Sequence, residues 1–104
     1  MNYQLVIQFP IADTSADYFD RLIRIENELG IILRDNHIVV GHDLGTGNMN
    51  IIIHTDDPNE SFELAKNVLS EKDLETILVA FREMEGEEYS VLWPENFSGE
   101  FRLE

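Results

Sequence analysis

The chain has no cysteine, which excludes a disulfide framework and a thiolate nucleophile and fits a reducing compartment. Basic residues are scarce. Lys and Arg total 7 against 21 Asp and Glu, for a formal net charge of -14. A nucleic-acid surface needs clustered Lys and Arg to neutralise phosphates, so nucleic acid is not an expected partner. An anionic membrane surface is disfavoured for the same reason. No apolar run approaches the roughly 20 residues of a spanning helix, and a strand pattern begins at Tyr3 with no basic segment and apolar run before it. The expectation is a cytoplasmic protein that engages no membrane.

The hydrophobic fraction, 43% of 104 residues, is enough to build a core, and this length suits a single domain spanning 1–104. The organising stretch is Ile38 to Asp57. Ile38-Val39-Val40 and Ile51-Ile52-Ile53 are β-branched clusters suited to a pleated, half-buried surface. Gly41, Gly45 and Gly47 between them predict a long hairpin loop over 41–48. That loop lacks the G-x-x-x-x-G-K-[ST] pattern and leads into a strand, so it is not a phosphate cradle. Asp57-Pro58-Asn59-Glu60 then starts a helix, with Asp57 as N-cap, Pro58 in the first turn and Glu60 reaching back as in a capping box.

The remaining elements fall on either side. Tyr3 to Phe9 alternates as a half-buried strand that Pro10 stops. Thr14 and Asp17 match a helix-cap signal, and Tyr18, Leu22, Ile25 and Leu29 recur at helical spacing; Gly30 reads as the C-terminal breaker, with the apolar Ile31-Ile32-Leu33 run as an alternative that carries the helix or its cap a little further. A second helix is expected from Pro58 to about Glu71, a strand from Thr76 to Arg82, and a short last strand over Tyr89 to Trp93, closed by Pro94. Residues 95–104 have no period and read as a loosely docked tail.

This order predicts an α+β fold: a ferredoxin-like βαββαβ sandwich, mostly antiparallel, with strand order 4-1-3-2, two helices on one face and a short extra C-terminal edge strand. Tyr3, Leu5, Ile7, Phe9, Met49, Ile51 and Ile53 are expected beneath the helices. The opposite row then holds Gln4, Val6, Gln8, Asn48, Asn50, Ile52 and His54, with Ile38, Val40 and His42 beside them. Such a mixed face suits a partner, a second subunit or the tail better than bulk water.

Chemistry is thinly represented. His42-Asp43 and His54 place imidazoles near carboxylates, but the two histidines fall toward opposite ends of the hairpin, too far apart to share an ion. No metal, cofactor or catalytic residue is expected. Acidic pairs are too abundant to mark acid–base catalysis. Glu85, Glu87 and Glu88 form an acidic cluster that could dock a basic partner, and Trp93, on one row with Tyr89 and Val91, could anchor it. His42, Asp43, Asn48, Asn50, His54, Glu85, Glu87, Glu88 and Trp93 are therefore the candidate binding residues.

At GHDLGTGNMNIIIHTDDP (41–58) and EYSVLWP (88–94) the chain resembles a family of small acidic bacterial hypothetical proteins, which brings no catalytic residue to carry over. By size and acidity it also resembles the immunity proteins that neutralise bacterial toxins. Together these readings point away from an enzyme. They suggest a protein-binding module of immunity or regulatory type that meets a basic partner through an acidic surface and the open sheet face, with homodimerisation as a further expectation. The alternative is a small ligand-binding or enzymatic domain built on the 41–48 loop.

Overall fold

The computed structural model describes residues 1–11 and 16–103. The cap expected at Thr14 lies outside the described residues. Eight elements follow in order: β1 (Tyr3–Pro10), α1 (Ala16–Ile32), β2 (His37–Gly45), β3 (Asn48–Thr55), α2 (Pro58–Ala65), α3 (Glu71–Thr76), β4 (Leu78–Glu83) and β5 (Ser90–Trp93). The strands form one open sheet in the order β2-β3-β1-β4-β5, and all neighbours are antiparallel.

The register explains the core. β1 pairs with β3 residue for residue, Leu5 with Ile53, Ile7 with Ile51 and Phe9 with Met49. Side chains alternate across a strand, so these six point to one face. There they meet Leu22, Ile25, Leu29 and Leu33 of the first helical segment and Phe62, Ala65 and Leu69 of the second. The helix-covered row is the one expected from the alternation.

Several local readings are decided or corrected. Of the two readings of the α1 end, the longer one holds: the helix passes Gly30 and runs on to Ile32. Leu29 and Leu33 both reach the core, and that burial outweighs the cost of about 1 kcal/mol for a helical glycine. The turn comes later, at Asp35, whose φ of 60° an aspartate tolerates. The second helix is not continuous either. It stops at Ala65, and Ser70 starts α3 with a reciprocal capping box to Asp73, so there are three helices among the described residues rather than two.

Asp57 does cap α2, accepting the Glu60 N–H at 3.1 Å. The Glu60 side chain, however, turns to His37 Nε2 at 2.8 Å instead of back to its own cap. Finally, the long 41–48 loop is absent. β2 continues to Gly45 and turns in two residues, Thr46 and Gly47, with Gly47 at φ 75°. A bulge between Val39 and Gly41 absorbs the extra residue, and Gly41 takes a φ of 153° there.

That bulge shifts the register, which moves His42 to the helix side opposite Ile51 and leaves Asp43 opposite Asn50 on the far face. A second shift, between Val79 and Ala80, puts Trp93 against Phe62 on the helix side, whereas Tyr89 and Val91 lie on the far side. The single row expected for Tyr89, Val91 and Trp93 is therefore split.

The core assignment predicts a sharp contrast in urea denaturation. Ile51→Ala, fully buried, should cost about 2–5 kcal/mol. Ile38→Ala, at 54% exposure, should stay within about 0.5 kcal/mol of the parent.

Candidate functional site

The far face of the sheet begins with a polar constraint. Gln8 and Asn50 are neighbours on β1 and β3 and are both buried. A buried amide must find hydrogen-bond partners or lose about 1–3 kcal/mol. Gln8 Nε2 donates to Asn50 Oδ1 and to the carbonyl of Arg102, each at 3.0 Å. The second bond draws the C-terminal segment onto the sheet. Beside it, Phe101 packs on Val6 and Ala80 and is only 8% exposed, and its ring tilts against Tyr89 at 4.9 Å.

The tail thus covers the β1–β4–β5 side of this face, while Ile38 on β2 remains more than half exposed. Between the tail and the approach to β5 runs a groove of about 480 Å³. Tyr89, Phe97 and Phe101 supply its aromatic walls, and Glu87, Glu88 and Glu100 line it with carboxylates. Arg82 stacks over Tyr89 at 5.8 Å, while its Nη1 donates to the carbonyls of Glu83, Met84 and Gly86. It thereby holds the chain that presents the glutamates.

A chain of side chains leads from this groove across the sheet. Gln4 Nε2 donates to Tyr89 Oη at 2.8 Å, and Gln4 Oε1 lies 3.3 Å from His54 Nε2. Of the residues singled out in the sequence, Glu87 and Glu88 therefore line the groove, and His54 is joined to it through Gln4. Glu85 lines a separate groove with Met1, Asn2 and Tyr3. Asn50 is structural, as the partner of Gln8.

Trp93 is also structural: its Nε1 donates to the Leu74 carbonyl at 2.7 Å, and Lys66 sits over both its ring and that of Phe62. His42 contacts Glu26 at 2.8 Å and meets Phe19 in a T-shaped arrangement, Asp43 is on the other face, and Asn48 Nδ2 donates to the Thr46 carbonyl. His42, Asp43 and Asn48 do not converge.

Sequence reasoning missed Phe97, Glu100 and Phe101 as groove residues, because a segment without periodicity carries no face assignment. It also missed His37, which is buried with Nδ1 at 2.7 Å from Thr55 Oγ1 and Nε2 on Glu60. The signal was available in the pairing of the hairpin ends, which sets His37 opposite Thr55.

The other charged cluster is a clamp between α1 and α3. Arg21 donates to both Asp73 oxygens, at 3.2 and 2.7 Å, and the Ser70 N–H adds a third bond at 3.0 Å. Burial pushes the Asp73 carboxyl up, but the bonds from Arg21 and Ser70 outweigh it and hold the group below its ordinary range. The bond to Asp73 raises Arg21 in turn. No group of three or more His, Asp or Glu suited to a metal ion occurs among the described residues, and none of their helices is long and apolar enough to cross a membrane. Comparison with protein-family models, with curated proteins and with solved structures finds no match to this chain.

The clamp has a signed pH dependence. Asp73 titrates below its unfolded value, so its contribution is complete above the ordinary carboxylate pKa of about 3.9 and is lost as pH falls through the folded value. Arg21→Met should cost about 1–3 kcal/mol near neutrality and flatten the acid limb of the stability profile. Urea midpoints taken between about pH 2 and 7 check this, since the parent and variant curves should converge at the acid end.

Proposed function

We propose that this chain is a non-enzymatic protein-binding module, of immunity or regulatory type, that takes a basic segment of its partner into the groove between Tyr89 and the C-terminal tail. The observation that carries the reading is the composition of that groove: aromatic walls from Tyr89, Phe97 and Phe101, with Glu87, Glu88 and Glu100 around them. A Lys or Arg side chain matches both features, pairing with carboxylate and lying on an aromatic face. The net charge of -14 would draw a basic partner in from a distance.

We also place the fold in the ferredoxin-like class. Counted from the β5 edge, the strand order runs 5-4-1-3-2, which is 4-1-3-2 with one added edge strand. The division of the second helix into α2 and α3 is a local departure from that pattern. The alternative of a ligand-binding or enzymatic site at 41–48 finds less support, because those residues form a strand end and a tight turn, with His42 and Asp43 on opposite faces.

An arginine-rich hexapeptide titrated into isotopically labelled protein tests the proposal by amide shift mapping. Shifts should concentrate at 87–89 and 97–101 and fade with added salt. The double charge reversal Glu87→Lys, Glu88→Lys should weaken binding about tenfold. Shifts spread evenly over the acidic surface, or affinity unchanged by the reversal, would remove the reading.

A further inference from the structure

The two edges of the sheet are unlike. β5 is only four residues long, is followed by Pro94, which has no N–H to offer, and has the docked tail beside it on the far face. β2 is nine residues long and, among the described residues, pairs only on its inner side, with β3. An edge strand presents unpaired N–H and C=O groups along its outer side, and proteins commonly guard it with lysine, proline or covering chain. The segment HIVVGHDLG contains neither lysine nor proline.

Its side chains add to the exposure. Ile38, Val40 and Leu44 are 54%, 55% and 55% exposed. Ile38 pairs with His54 on the far face and Leu44 with Met49 on the helix side, so apolar surface flanks the bare edge on both sides.

We infer that β2 is a self-association edge, on which a second copy of this chain adds its own β2 antiparallel to make a sheet of doubled width. Charge selects the occupant. The chain carries 21 carboxylates, yet β2 holds one, Asp43, and no Lys or Arg. A basic partner finds little to pair with along this strand, whereas two strongly acidic copies repel least where the facing strands each carry a single carboxylate. Depletion of charge with exposed aliphatics is the composition of an interface core.

A two-fold axis presents the same strand to itself, and the blunted β5 edge offers no second template, so the assembly closes at two copies instead of growing. The bulge at Val39–Gly41 limits pairing to a short register and further opposes extension. A single strand pair is a small interface beside the roughly 800 Å² per partner of a standard one, and weak association, with a dissociation constant on the order of 100 µM, is the expected outcome.

Sedimentation equilibrium on the full chain, from about 5 µM to about 1 mM, tests this. The weight-average mass should rise from 12.0 kDa toward twice that value. Association should strengthen severalfold with added salt, because screening relieves the repulsion between copies; binding of a basic partner has the opposite salt dependence, so the two proposals fail separately. Val40→Lys and Ile38→Lys, both at exposed positions, should each hold the protein at the monomer mass. A mass fixed at 12.0 kDa throughout, or a dimer that survives both substitutions, overturns the inference. If a variant does not fold, hydrogen exchange on the parent chain decides. Protection of amides 38–44 that grows with concentration supports the β2 edge, and mass growth without it refutes that edge.

Discussion

Two neutral amides in the middle of the sheet govern what its far face can present. Gln8 and Asn50 are buried side by side on the central strands, where water does not reach them. Their mutual hydrogen bond leaves donors to satisfy, and the Arg102 carbonyl takes one of them. The Gln8 bond to the Arg102 carbonyl and the burial of Phe101 on Val6 and Ala80 together fix where the tail lies. The groove beside Tyr89 exists because the tail is held there.

The same geometry divides the molecule by charge. Three helices shield one side of the sheet, and the tail shields half of the other. Carboxylates gather at the groove end, around the β4–β5 connection, while β2 at the opposite edge carries a single one, Asp43. One end is thus suited to a basic partner and the other to a neutral one, and salt acts on the two in opposite senses. The Arg21–Asp73 clamp and the His37 bridge between Thr55 and Glu60 belong to neither surface. They tie helices to helices and helices to strands, and so explain charge and imidazole that a search for catalysis would otherwise pick out.

The residues that repeat at a fixed period were legible. Leu5, Ile7 and Phe9, with Met49, Ile51 and Ile53, announce their face by alternation, and Leu22, Ile25 and Leu29 by helical spacing. The Asp57-Pro58 helix start was legible because a cap depends on neighbours in sequence. What escaped depends on partners far along the chain. At Gly30 the sequence leaves two helix ends open, and only the core that Leu33 reaches, built from distant strands, decides for the longer one. The bulge at Val39–Gly41, which reverses the side of His42, is a property of two strands together. Ser70 is different: its capping box with Asp73 is local and matches the [ST]-x-x-[DE] signal, so this helix start is legible in the sequence, and Arg21 of α1 then holds Asp73 in place. The tail residues Phe97, Glu100 and Phe101 have no period at all, and only the sheet beneath them gives them a role.

The far face and its groove depend on the tail lying on the sheet, and nuclear Overhauser contacts from the Phe101 ring report this most directly. The docked arrangement requires contacts from that ring to the methyls of Val6 and Ala80 and to the Tyr89 ring. Their absence, with the Phe101 resonances at unfolded positions, would mean that the far face is bare and that the groove has no wall.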